Sequence, residues 1–140
     1  MTRPTVDHIG IIVADLDAAV VRLRPVFGDD VTVKDLVAHD LRVAEFRTAN
    51  ITVELLEYTG PAEFARKVMG DRLGINHVSL QVEDTNREID TLQRHGFAIQ
   101  DGFPTDGAHG RVAFFEPDDM TGLLFEICQP TPDTKPENDA

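Results

Sequence analysis

One cysteine, Cys128, stands among 140 residues. That excludes an intramolecular disulfide and a zinc site built on thiolates. Basic residues are also scarce, with 13 Lys and Arg against 25 Asp and Glu, and the net charge is −12. A surface of that sign disfavours nucleic acid and anionic membranes as partners. An anionic substrate stays possible, because a bound divalent cation reverses the field locally. No apolar run is long enough to span a bilayer, and Met1-Thr2-Arg3-Pro4 leads into a strand-like run without a signal-type hydrophobic region. The expected location is the cytoplasm. Apolar residues make up 41% of the chain, enough for a core, and the length suits one compact domain or two half-size units sharing a core.

What the chain does contain is a copy of itself. His8 and His77 are offset by 69 residues (77 − 8), and Arg42-Val43-Ala44 recurs as Arg111-Val112-Ala113 at the same offset, as Asp15 recurs as Asp84. Glu54 and Glu126 are offset by 72 (126 − 54), so about three residues enter the second copy late, around Pro117-Asp118-Asp119-Met120. Each copy thus carries a His near its start and a Glu near its end. Two imidazoles and two carboxylates at equivalent places in a duplicated fold are what a pseudo-symmetric divalent metal site needs.

Each copy is predicted to run β-α-β-β-β. In the first, Val6 to Val13 reads as a strand, Asp15 as the N-cap of a helix ending at Gly28, and Val31–Val37, Leu41–Thr48 and Ile51–Tyr58 as strands. A short helix is expected over Ala62–Val68 in the linker. The second copy then has a strand over Ile75–Val82, a helix from Asp84 to Gly96, and strands over Ala98–Gln100, Val112–Glu116 and Leu123–Cys128. A Gly-rich loop, Asp106 to Gly110, falls between the first two of those last three strands. Strand parity puts His77 with Ser79, and Glu126 with Leu124 and Cys128, away from the apolar faces that pack on the helices. The fold class is α+β: two tandem βαβββ modules, about 6–58 and 75–130, whose sheets join to form a metal-binding cleft. The linker helix spans about 61–70. Residues 131–140 are polar and Pro-rich and read as a disordered tail of this single domain.

These residues resemble the vicinal-oxygen-chelate (glyoxalase/bleomycin-resistance/dioxygenase) superfamily and, within it, the methylmalonyl-CoA epimerase family. The resemblance covers residues 6 to 130. Its marks are Asp7-His8-Ile9-Gly10, Val13-Ala14-Asp15-Leu16, Val53-Glu54-Leu55-Leu56-Glu57, Ile75-Asn76-His77-Val78, Gly107-Ala108-His109-Gly110 and Gly122-Leu123-Leu124-Phe125-Glu126. It implies one divalent ion held by His8, Glu54, His77 and Glu126; the donor set suits Co, Ni, Zn, Mn or Fe and does not choose among them. It implies a substrate contact at Gly107, Ala108, His109 and Gly110, where small residues permit close backbone approach. It also implies a homodimer, since open sheets leave edges that self-association covers.

The chemistry so implied is epimerisation by α-proton transfer through a metal-stabilised enolate of an acyl-CoA or 2-oxo-type anion. An epimerase needs two bases, one on each face of the carbon. Glu126 is the candidate for one. The resemblance implies a Glu just before the third strand of the first module for the other, but alignment through Arg42-Val43-Ala44 puts Ala38 there. His39 and Asp40, next in the chain, are then the substitutes. Two other readings fit the same site: a glyoxalase I-like lyase acting on a hemithioacetal, and a binding protein that sequesters a small molecule without chemistry, which the Ala38 departure favours.

Overall fold

A computed structural model describes residues 3–107 and 110–130 of the chain. The elements are β1 (Thr5–Ile12), α1 (Leu16–Phe27), β2 (Val31–Leu36), a 3-10 turn (Val37–His39), β3 (Leu41–Arg47), β4 (Thr52–Tyr58), α2 (Glu63–Met69), β5 (Gly74–Gln81), α3 (Thr85–Arg94), β6 (Thr105–Gly107), β7 (Gly110–Phe114) and β8 (Phe125–Gln129). They form two compact units, His8–Val78 and Met1–Asp7 with Ser79–Ala140. The fold class is α+β, as the alternation of helical and strand periods predicts. The boundaries between units fall inside β1 and β5 and not in the linker, because the linker is fastened to the first unit. The Tyr58 hydroxyl donates to the Gly70 carbonyl at 2.6 Å, and the Ala62 N–H donates to the Asp40 carboxylate at 2.9 Å.

In the first unit the strand order is β2-β3-β4-β1, with β2-β3 and β3-β4 antiparallel and β1-β4 parallel. Helix α1 starts at Asp15, whose carboxylate accepts from the Ala18 N–H, and ends at Gly28 with φ +96, a conformation that glycine adopts without strain. Its apolar stripe, Leu16 and Val20, packs on Ala44, Phe46, Val53 and Leu55. Fully burying one such aliphatic side chain is worth about 1.5–3 kcal/mol. One face of β3 and β4 is thereby committed to the helix. Val43, Glu45, Glu54 and Leu56 point the other way, and all four are buried.

The second unit repeats this plan with the order β5-β8-β7-β6. Asp84 caps α3 by accepting from the Arg87 N–H, and its backbone angles (φ −145, ψ 103) nearly match those of Asp15 (φ −140, ψ 105). Its core of Ile89, Ala113, Phe115, Phe125 and Ile127 uses the positions that Val20, Ala44, Phe46, Val53 and Leu55 use in the first unit. Ala98–Gln100, expected as a strand, contributes only an isolated bridge between Ile99 and Phe115. The true counterpart of β2 is β6, which lies in what the sequence presents as the Gly-rich loop. The reason is a longer connection after the helix: residues 95–104 separate α3 from β6, where 28–30 suffice between α1 and β2. A uniform offset of 69 therefore points at the wrong residues. Asp35 faces Arg42 across β2-β3, and Asp106 faces Arg111 across β6-β7 in the same way.

Candidate metal centre and acid–base site

Three of the four expected ligands, His8, Glu54 and His77, belong to the first unit, where His8 lies beside each of the other two. His8 is on β1, and Gly10, two residues on, pairs with Glu54 of β4. The Nε2 of His8 is 3.6 Å from Oε1 of Glu54, and the His8 and His77 rings meet edge to face with centroids 5.6 Å apart. One ring nitrogen of each His lies within 4.8 Å of the other. A divalent ion with bonds of about 2.1 Å holds cis ligand atoms about 3 Å apart and trans ones about 4.2 Å apart. The His8–Glu54 separation falls in that range, and the His8–His77 separation would reach it after small side-chain rotations. All three are buried, with 4–9% of their surface exposed. A buried carboxylate beside one imidazole, with a second imidazole against the first, offers donors of the kind a cation site uses.

Glu126, the fourth expected ligand, belongs to the second unit. It is buried on β8, opposite in parity to the core residues Phe125 and Ile127, and its cross-strand partner is Phe114.

Sequence reasoning missed Glu45. This carboxylate is 4% exposed and sits directly across the β3-β4 ladder from Glu54, on the same face. Two acids facing each other repel, and both are out of water, so positive charge has to offset them. Lys34 Nζ and Arg47 NH2 each approach Oε1 of Glu45 to 3.3 Å. They hold the carboxylate from its solvent side. A signal for Glu45 was available in the repeat: Arg42-Val43-Ala44 is followed by Glu45, and Arg111-Val112-Ala113 by Phe114.

His39 and Asp40 are not brought to this cluster. His39 ends the 3-10 turn and is exposed. Asp40 is level with Thr59, which donates its N–H to the Asp40 carbonyl, five residues (59 − 54) beyond Glu54 along the β4 direction. That is about 16 Å of extended strand. The Asp40 carboxylate is occupied in accepting from Ala62. Of the expected substrate loop, Gly107 and Gly110 face each other as the ends of β6 and β7, while Ala108 and His109 lie outside the described residues, as does the tail 131–140.

Comparison with known proteins agrees with this architecture. Residues 7–115 match the Glyoxalase/Bleomycin resistance protein/Dioxygenase superfamily, and the chain belongs to it. Within the superfamily its relatives include epimerases. It is 34% identical, over 88% of its length and 96% of the relative's, to an ethylmalonyl-CoA/methylmalonyl-CoA epimerase of Cereibacter sphaeroides. It is 32% identical, over 86% of its length and 75% of the relative's, to the mitochondrial methylmalonyl-CoA epimerase of Dictyostelium discoideum. A solved methylmalonyl-CoA epimerase in complex with methylmalonyl-CoA and NH4+ superposes with a TM-score of 0.75 at 25% identity, covering 96% of this chain and all of that one.

Proposed function

We propose that this chain is a metal-dependent epimerase of a methylmalonyl-CoA-type acyl thioester. It uses His8, Glu54, His77 and Glu126 as ligands to one divalent ion, and Glu45 and Glu126 as its two acid–base groups. The relatives' activities support the reaction and the substrate class. The observation that carries the site is the buried Glu45 directly opposite Glu54. It supplies the second carboxylate for which His39 and Asp40 were expected to substitute.

When bound, the ion supplies Lewis acidity to the substrate's carbonyl oxygens and so makes the hydrogen on C2 easier to remove. In one direction Glu45 accepts that proton on a carboxylate oxygen, and Glu126, protonated, delivers another to the opposite face of C2. In the reverse direction the roles exchange. No net proton or electron is consumed, as epimerisation requires. Lys34 and Arg47 orient Glu45 and keep its anionic form in place. A positioned base of this kind contributes roughly 10²–10⁴-fold to the rate.

Glu45 also weakens the sequestering alternative, since that reading drew on the absence of a carboxylate at Ala38. No observation favours the lyase over the epimerase. A homodimer in the cytoplasm completes the proposal. β2 and β6 each have a single strand neighbour, so each leaves an edge to be covered. Among the described residues no helix is long and apolar enough to cross a membrane.

The test is incubation of one epimer of methylmalonyl-CoA in deuterated water with the Co²⁺-loaded protein. Deuterium at C2 together with appearance of the other epimer is expected. No exchange above that given by Co²⁺ alone would rule the proposal out, and turnover of methylglyoxal with a thiol would move the assignment to the lyase.

A further inference from the structure

The imidazole of His77 sits in a slot of the first unit whose parts are not ligands. Its Nδ1 lies 2.8 Å from the Oδ1 of Asn76, its own chain neighbour. The Nδ2 of Asn76 donates at 2.8 Å to the carbonyl of Met69, the last residue of α2. A backbone carbonyl only accepts, so the atom of Asn76 facing Met69 has to be the amide nitrogen. The atom facing His77 is then the amide oxygen, which also only accepts. His77 must therefore carry its proton on Nδ1, and Nε2 is left with the lone pair.

Gly10 forms the floor of the slot. A Cβ added there would lie 2.3 Å from Cε1 of the His77 ring and 2.6 Å from Nε2. Those distances are closer than any packed atom sits, so the ring occupies space that only glycine leaves open. The duplicated sequence repeats one element of this arrangement, because Asp7 precedes His8 as Asn76 precedes His77.

We infer that Asn76 is a positioning residue. It fixes the tautomer and the angle of His77, presents Nε2 as the ligating atom, and refers that angle to the C-terminal end of α2 through Met69. The inference rests on the proposed metal centre for its consequence but not for its geometry. A hydrogen bond to the far nitrogen of a ligating His typically changes metal affinity 10–100-fold when it is lost.

The experiment uses the full chain, with ¹⁵N-histidine NMR on the metal-free protein and calorimetric titration with Co²⁺. In the wild type, Nδ1 of His77 should give a pyrrole-type signal and Nε2 a pyridine-type one. Asn76→Ala should mix or exchange the two and weaken Co²⁺ binding 10–100-fold. Asn76→Asp, which keeps an acceptor for the Nδ1–H but loses the bond to Met69, should keep the wild-type tautomer and still weaken Co²⁺ binding. Gly10→Ala should weaken Co²⁺ binding by displacing the ring yet leave the tautomer unchanged. A wild-type His77 protonated on Nε2, or an Asn76→Ala protein with unchanged signals and affinity, would overturn the inference. A wild-type protein that takes up no Co²⁺ would overturn the metal reading, and the NMR result would still decide the role of Asn76.

Discussion

Glu45 and Phe114 occupy the same place in the two copies. Each follows Arg-Val-Ala, each lies on the strand before the site glutamate, and each faces that glutamate across the ladder, Glu54 in one case and Glu126 in the other. The strands around them are equivalent, down to the alanine and phenylalanine on either side that pack on the helix, Ala44 and Phe46 in one copy and Ala113 and Phe115 in the other. The second copy shows that this fold accepts a large apolar side chain at the position. Burying a carboxylate there is the more costly choice. A costly residue at a position where the fold does not need it makes Glu45 the candidate for chemistry, and the difference between the copies singles it out without reference to any relative.

The largest effect that would break this comparison comes from removing the carboxylates. Glu45→Gln keeps shape and hydrogen-bonding capacity but cannot accept a proton, so epimerisation should fall by at least about a hundredfold. One signature separates loss of a base from general damage. The epimer whose α-hydrogen faces Glu126 should still exchange that hydrogen with deuterated solvent, while the other should not. Glu126→Gln should give the mirror result, and Glu54→Gln should spare exchange of both. Epimerisation at wild-type rate in Glu45→Gln would remove Glu45 from the acid–base pair.

Next in size is the effect of the ion on stability. At a free Co²⁺ concentration a hundredfold above its dissociation constant, the native state gains about 2.7 kcal/mol, or roughly 8–10 °C in Tm for a chain of this length. His77→Ala should abolish that gain and leave a folded protein. His39→Ala should not alter it, because His39 is exposed at the end of its turn. An equal loss in both variants, read by differential scanning calorimetry, would disprove the ligand set.

Smaller still are the helix caps, where the copies should agree. Asp15→Ala and Asp84→Ala each remove one carboxylate from a helix start of the same geometry, and each should cost about 1 kcal/mol in urea denaturation. A disparity well beyond a few tenths would mean that the copies do not share local energetics as they share local shape.

The last effect, no larger than the caps, concerns Tyr58, which fastens the linker to the first unit. Burial raises its pKa above 10.0, with Asp71 adding to the shift and Arg66 opposing it. A raised folded-state pKa leaves stability whole below pH 10.0 and removes it as pH climbs through the folded value. Tyr58→Phe should cost about 1 kcal/mol at neutral pH through the lost bond to Gly70 and should flatten the decline above pH 10.

Most of the architecture was legible because three independent signals agreed. The 3.6-residue stripe of Leu16 and Val20, the alternation around Val53-Glu54-Leu55 and the offset between copies all pointed to the same βαβββ unit. The weak place was β6, where a ten-residue connection shifts the copy out of step and three residues, Thr105–Gly107, carry too short a pattern to announce a strand. Among the proposed site residues, His8, Glu54, His77 and Glu126 stand out in the sequence because they conform to the repeat. Glu45 was passed over because it departs from the repeat. Asn76 and Gly10 act through a side-chain bond to a distant carbonyl and through an absent Cβ, which leave no mark on hydropathy or spacing.

The division of the chain into its two units also bears on its history and its divisibility. A gene that doubled a βαβββ segment would once have encoded two separable pieces. In this chain residues 3–7 have been drawn into the company of the later residues, and 74–78 into that of the earlier ones. A cut in the linker at Asp71 would leave the front fragment without His77 and the rear one without the opening of β1. The halves have become interdependent parts of one inheritance, and neither could be passed on alone with its chemistry intact.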